Sequence, residues 1–126
     1  MKKIINTPKA PAPIGPYNQA VLSGDTLYIS GQIPIDPQSG KLVEGDIKKE
    51  TARSMENLKA ILEAADMGFG NVVKSTIFIK DMAQFGEINE VYGQYFDADT
   101  APARETVEVA NLPKYVRVEI SMIAVG

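Results

Sequence analysis

The stretch Val116-Arg117-Val118-Glu119-Ile120-Ser121-Met122-Ile123-Ala124-Val125 decides how the chain folds. A β-strand sends alternate side chains to opposite faces. Val118, Ile120, Met122 and Ala124 form one continuous apolar face. Ile123 and Val125 make part of the other face apolar too, beyond Arg117, Glu119 and Ser121. Helices of the same chain can cover only one of these faces. The other is expected to meet another subunit, because a large uncovered apolar face seldom stays in water.

Upstream, residues 103–109 read as a second strand, with Arg104, Thr106 and Glu108 on one side. Residues 72–79 are rich in Val, Thr, Ile and Phe, with apolar groups on both faces, and predict a central strand. Residues 47–67 predict a helix, since Ile47, Thr51, Met55, Leu58, Ile61, Leu62 and Ala65 recur at helical spacing. Asp46 fits its N-cap and Gly68 its stop. Residues 81–96 predict a second helix, with Asp81 and Gln84 as a capping box and Phe85, Ile88, Tyr92 and Phe96 as the apolar stripe. Residues 17–22 and 26–30 flank Ser23-Gly24-Asp25 and predict a β-hairpin. Residues 7–16 carry four prolines and read as extended chain, and residues 33–45 read as a loop. The order is ββαβαββ after an extended N-terminus. It predicts one α+β domain over residues 1–126, a mixed sheet with both helices on one face.

The chain has 126 residues, 13 Lys and Arg, 16 Asp and Glu, and a net charge of −3. No basic run suggests a nucleic-acid partner. There is no Cys and no His. Thiol catalysis, disulfides and imidazole or thiolate metal ligands are therefore excluded, and no Asp/Glu cluster has metal-loop spacing, so neither metal nor cofactor is expected. Acid–base chemistry falls to Glu, Asp, Lys or Tyr. No segment has the length of a signal peptide core or a membrane span, and the expectation is a soluble cytoplasmic chain with no membrane partner.

Arg104 and Glu119 stand out as charges inside apolar strands. Two readings compete for them. In the structural one, they pair with each other, or with Glu108 and Arg117. In the chemical one, the planar fork of Arg104 binds a carboxylate through two hydrogen bonds, while Glu119 exchanges a proton with water and a leaving amine. Tyr17, in Ile14-Gly15-Pro16-Tyr17, reads either as a cleft hydroxyl or as packing beside a turn. Ser30-Gly31-Gln32 ends a strand, where free backbone N–H groups can meet an oxygen. Asn89 reads as a surface or satisfied polar group, and Glu50, Glu56 and Glu63 as a solvated helix face.

Taken in order, Gly15-Pro16-Tyr17, Ser30-Gly31-Gln32-Ile33-Pro34, Pro102-Ala103-Arg104, Val107-Glu108-Val109, Leu112-Pro113-Lys114 and Val118-Glu119-Ile120 resemble the RidA/YjgF family over residues 8–125. The resemblance implies a chorismate-mutase-like fold and a homotrimer with active sites between subunits. It implies cofactor-free hydrolysis of 2-aminoacrylate- and 2-aminocrotonate-derived 2-imino acids to 2-keto acids and ammonia. Arg104 would bind the substrate carboxylate, and Glu119 would activate water. Tyr17, Ser30, Gly31, Asn89 and Thr106 would line the pocket, Tyr17 across the subunit boundary. Thr106 stands where many members carry Cys, which removes thiol-based regulation. Glu105 replaces a smaller residue and should point away from Arg104. Three other functions stay open: a regulator that binds a keto acid or amino acid without catalysis, a ribonuclease or translation inhibitor, and a chaperone-like or purely structural trimer.

Overall fold

The computed structural model describes residues 2–126. It contains β1 (Lys2–Ile5), β2 (Ala20–Ser23), β3 (Thr26–Gln32), α1 (Ile47–Ala64), β4 (Val72–Ile79), α2 (Phe85–Gly93), β5 (Ala103–Glu108) and β6 (Val118–Val125). The six strands form one mixed sheet in the order β1-β2-β3-β6-β4-β5, in which only β4 and β5 run parallel. The predicted hairpin is β2–β3, turning at Gly24 with φ 62°. The extended N-terminus adds β1 to its outer edge.

Both helices lie on one face. Met55, Leu58, Ile61 and Leu62 of α1 and Ile88 and Tyr92 of α2 share a core with Leu27, Ile77, Ile79, Val118, Ile120 and Met122 of the sheet. Ser75, Ile77 and Ile79 define the helix face of β4 and are fully buried. Lys74, Thr76 and Phe78 define the open face, where Tyr28, Val107 and Val125 remain exposed. Among the described residues, no helix is long and apolar enough to cross a membrane.

Helix α1 begins as its sequence predicts: the Asp46 carboxylate accepts from the Lys48 and Lys49 N–H groups. It ends at Ala64 rather than Met67. The chain reverses at Asp66, φ 58°, with Met67 N–H on Leu62 O and Asp66 N–H on Glu63 O. That Schellman closure stops the helix before Gly68, since a short polar side chain tolerates the left-handed region. The second helix opens with a 3₁₀ turn over Met82–Gln84. Asp81 accepts from Ala83 N–H, but the Gln84 side-chain carbonyl is buried without a partner, so the expected capping box does not form.

The solvated face expected of Glu50, Glu56 and Glu63 holds for Glu63 alone. Glu50 is 3% exposed and carries a two-point ion pair from Arg117, whose Nε donates at 3.1 Å. Glu56 accepts from the Tyr95 hydroxyl at 2.8 Å, and burial together with that carboxylate pushes the Tyr95 hydroxyl up to about 12. Charge on a helix does not reveal whether a loop or strand end folds over it. Here the end of a 3₁₀ turn at Pro113–Tyr115, with Lys114 and Tyr115 both at φ 55°, brings Arg117 to Glu50 and delays β6 to Val118.

The proline-rich segment before β2 is anchored by one buried amide. Gln19, 2% exposed, accepts from Thr7 N–H at 2.7 Å and donates to the carbonyls of Thr7, Ala10 and Pro11. This fixes the path of residues 7–16, which a proline-rich chain cannot fix by its own ladder bonds. Replacing Gln19 by Ala leaves several backbone groups without partners in a dry site. We expect a loss of about 2–3 kcal/mol in denaturant unfolding, with cleavage by proteases concentrated in residues 7–16. A loss below about 0.5 kcal/mol would show that the amide is not the anchor.

Candidate functional site

Two groups of side chains carry the chemistry, and the register of the sheet separates them. Residues paired across neighbouring strands point to the same face. Arg104 pairs with Ser75 and Thr106 with Ile77, so both face the helices. Glu119 pairs with Phe78, so it faces the open side. Arg104 and Glu119 are therefore not brought together within one chain. Nor do they pair with Glu108 or Arg117. Glu108 accepts from Met82 N–H at 2.7 Å, and Arg117 is held by Glu50. Glu105 points away from Arg104, as expected, and binds Thr76 and Lys74 on the open face.

On the open face, Glu119 lies in a cleft of about 360 Å³ lined by Ile14, Tyr17, Ser30, Gly31, Ile33 and Pro113. The local geometry comes from a bulge. The register between β3 and β6 shifts between Ile29 and Gln32, leaving Ser30 and Gly31 outside the ladder. Ser30 N–H turns to Gln19 O at 2.9 Å and its hydroxyl donates to Asn18 O at 2.6 Å. The Ser30 proton is thus spent, and only its oxygen lone pairs face the cleft as acceptors. A Cβ on Gly31 would stand 2.6 Å from Glu119 Oε2 and 2.7 Å from its carboxyl carbon. Glycine leaves room for the carboxyl group against its bare α-carbon, and a side chain there would push Glu119 out of this position. Tyr17 is 46% exposed, and its hydroxyl accepts from Ile14 N–H at 3.3 Å.

Glu119 is half-buried and has no ion pair or hydrogen bond among the described residues. Burial alone raises its pKa above the ordinary carboxylate value. Such a group is a stronger base than a solvated carboxylate and stays available for proton exchange.

At the sheet edge, Arg104 donates from Nη1 to Asn89 Oδ1 of α2 at 2.6 Å. It has no carboxylate partner among the described residues, and neither Nε nor Nη2 is bonded. Asn89 is exposed, as its polar character suggests, yet its oxygen is committed to the arginine. Thr106 is two residues from Arg104 on the same face, with its hydroxyl buried and unpartnered. Sequence reasoning missed two neighbours here. Phe85 and Tyr92 read as core stripe, but both rings lie against the Arg104 guanidinium. The spacing of Phe85, Asn89 and Tyr92, i, i+4 and i+7, was the available signal.

The raised pKa of Glu119 fixes the sign of a stability test. The folded chain holds this proton to higher pH than the unfolded chain, whose glutamate titrates near about 4.3. The contribution is therefore fully present below that value and is lost as pH rises through the folded pKa. Glu119→Gln, which cannot ionise, should match the wild type at pH 4 and become the more stable of the two toward pH 8. Urea unfolding at several pH values checks this. A wild type that gains on the variant as pH rises would contradict a desolvated, unpaired Glu119.

Comparisons with known proteins identify the family and support the fold. The family model described as Endoribonuclease L-PSP matches residues 7–126. A RutC family protein of Pyrococcus horikoshii is 53% identical over 124 residues, covering 98% of both chains. The 2-iminobutanoate/2-iminopropanoate deaminase of Mus musculus is 50% identical over 125 residues, 99% of this chain and 92% of that one. The crystal structure of Escherichia coli TdcF with bound serine superposes with a TM-score of 0.92 at 48% identity, covering 98% of each chain. With the family model spanning nearly the whole chain and half the residues shared with these relatives, the protein belongs to the RidA/YjgF/RutC family.

Proposed function

We propose that the protein is a cytoplasmic imine deaminase that hydrolyses 2-imino acids derived from 2-aminoacrylate and 2-aminocrotonate. One observation carries the reading: neither Arg104 nor Glu119 is neutralised by its own chain. A substrate with a carboxylate at one end and an electrophilic carbon beside it uses both. The name of the mouse relative and the serine bound to the E. coli relative support a small amino-acid-derived ligand.

Since the two groups face opposite sides of one sheet, each site takes Arg104, Asn89 and Thr106 from one copy and Tyr17, Ser30, Gly31 and Glu119 from the next. A trimer that buries the open faces against each other meets this requirement. Arg104 fixes the carboxylate with its unengaged edge. Water beside Glu119 gives a proton to the carboxylate as its oxygen bonds to the imine carbon. As the C=N electron pair moves to nitrogen, Glu119 passes that proton to it, giving a hydroxyl–amine adduct. Glu119 then takes the hydroxyl proton and delivers it to the amine; the C–N bond breaks, ammonia leaves, the keto group forms and Glu119 is again a carboxylate. Proton exchange of this kind contributes about 10²–10⁴-fold. Charge-assisted bonds from Arg104 contribute about 1.5–3 kcal/mol each.

Purified protein added to a serine or threonine dehydratase reaction should speed decay of the imine and release of keto acid. Arg104→Lys should lose most of this activity while keeping its fold, because an ammonium cannot reproduce the fork. Full activity in that variant removes Arg104 from the site. The profile of kcat/KM should rise with pH along an acid limb placed above the ordinary carboxylate range, and Glu119→Gln should abolish the limb with the turnover. A folded wild type that binds keto acid but does not accelerate imine decay would instead be a binding regulator. RNA cleavage that persists in Arg104→Ala would instead favour an endoribonuclease activity.

A further inference from the structure

Arg104 is held from three directions by α2. Its guanidinium carbon lies 5.6 Å from the centroid of the Phe85 ring and 5.1 Å from that of Tyr92. Asn89, between them in sequence, accepts the Nη1 proton at 2.6 Å. One helical face thus presents ring, amide and ring at i, i+4 and i+7. The Tyr92 ring is fixed from behind, 4.9 Å from Phe96, which meets Phe69 edge-on at 5.3 Å. Tyr92 is 5% exposed, so this face is set by the core and cannot drift with solvent-facing side chains.

This arrangement suits a ligand-binding arginine and is unlike a structural one. Arg117, the structural case in the same chain, is neutralised by the buried Glu50 carboxylate. Arg104 is held by uncharged groups only, among the described residues. Aromatic faces attract a guanidinium without consuming its N–H donors. A carboxylate in their place would hold the side chain equally well but occupy the fork and cancel its charge. We infer that Phe85 and Tyr92 are positioning residues, which with Asn89 hold the Arg104 fork ready for an incoming carboxylate while leaving its Nε–Nη2 edge free. The inference rests on the carboxylate-binding reading of Arg104 and adds the device that presets it.

The Tyr92 hydroxyl is not part of the device. It is buried beside the Ser75 hydroxyl and makes no hydrogen bond to Arg104. The ring alone meets the guanidinium, so Tyr92→Phe should be silent while Tyr92→Leu should not. Phe85→Leu offers a second route, because Phe85 is only partly buried and its loss leaves less of a core defect.

The test uses the whole protein and two readouts. Binding of 2-ketobutyrate, followed by calorimetry, should weaken by about tenfold in Tyr92→Leu and in Phe85→Leu. It should change by less than about twofold in Tyr92→Phe. In an Arg104→Ala background, Tyr92→Leu and Phe85→Leu should cost nothing further. The Arg104 Nε–H NMR signal, assigned by its loss in Arg104→Lys, should show a ring-current shift in the wild type that each leucine variant changes. Unchanged binding in folded leucine variants overturns the proposal, as does a loss that persists undiminished without Arg104. If Arg104→Ala binds 2-ketobutyrate as tightly as the wild type, the carboxylate reading itself fails, whatever the ring-current shift shows.

Discussion

The continuous ladder from β6 through β4 to β5 is the constraint on which the site depends. Its register pairs Phe78 with Glu119 and Ser75 with Arg104. Phe78 follows Ser75 by three positions, an odd offset, so alternation sends the two charges to opposite faces. No rotamer change can bring them together through a sheet whose helix side is filled by Ile77, Ile79, Val118 and Ile120. A single copy therefore holds a base in a cleft without a cation, and a cation on an edge without a base. In the function we propose, these are two halves of one site, and the apolar residues left on the open face favour the association that joins them.

Each half is built by a different solution to the same problem, which is to hold a charge in place without neutralising it. Glu119 rests against the bare α-carbon of Gly31, made accessible by the bulge that frees Ser30 and Gly31 from the ladder. Arg104 rests against two ring faces and an amide oxygen. A counter-charge would have stabilised either group more simply. The Arg117–Glu50 pair shows that the chain uses that solution where the aim is to tie a helix to the end of a strand.

The fold was largely legible because its core follows the two simple periods. The face Val118, Ile120, Met122, Ala124 and the α1 stripe from Ile47 to Leu62 read as they lie. What escaped was long-range and local in geometry. The Gln19 anchor depends on a segment folding back over twelve residues, and nothing in its composition marks a glutamine as buried. Glu50 looked solvated because its partner is 67 residues away. Asn89 read only as a surface or satisfied polar group, whereas Arg104 and Glu119 were visible as charges in apolar strands. Their division between two faces needed the strand register, which periodicity within one strand does not give. Phe85 and Tyr92 were read correctly as apolar stripe, yet the arginine they meet comes from a strand that only the tertiary fold places beside them.

The central claim is that a working site joins Arg104 of one copy to Glu119 of the next, and subunit mixing tests it most directly. Arg104→Ala and Glu119→Gln chains, each inactive alone, would be co-expressed with distinct tags, and the mixed assemblies purified. In a trimer containing both chains, one interface in three retains both intact groups. The purified mixed trimers are therefore expected to recover roughly a third of wild-type imine hydrolysis. Mixed assemblies that form but remain as inactive as their parents would contradict the claim, because both groups would then have to serve from the same chain.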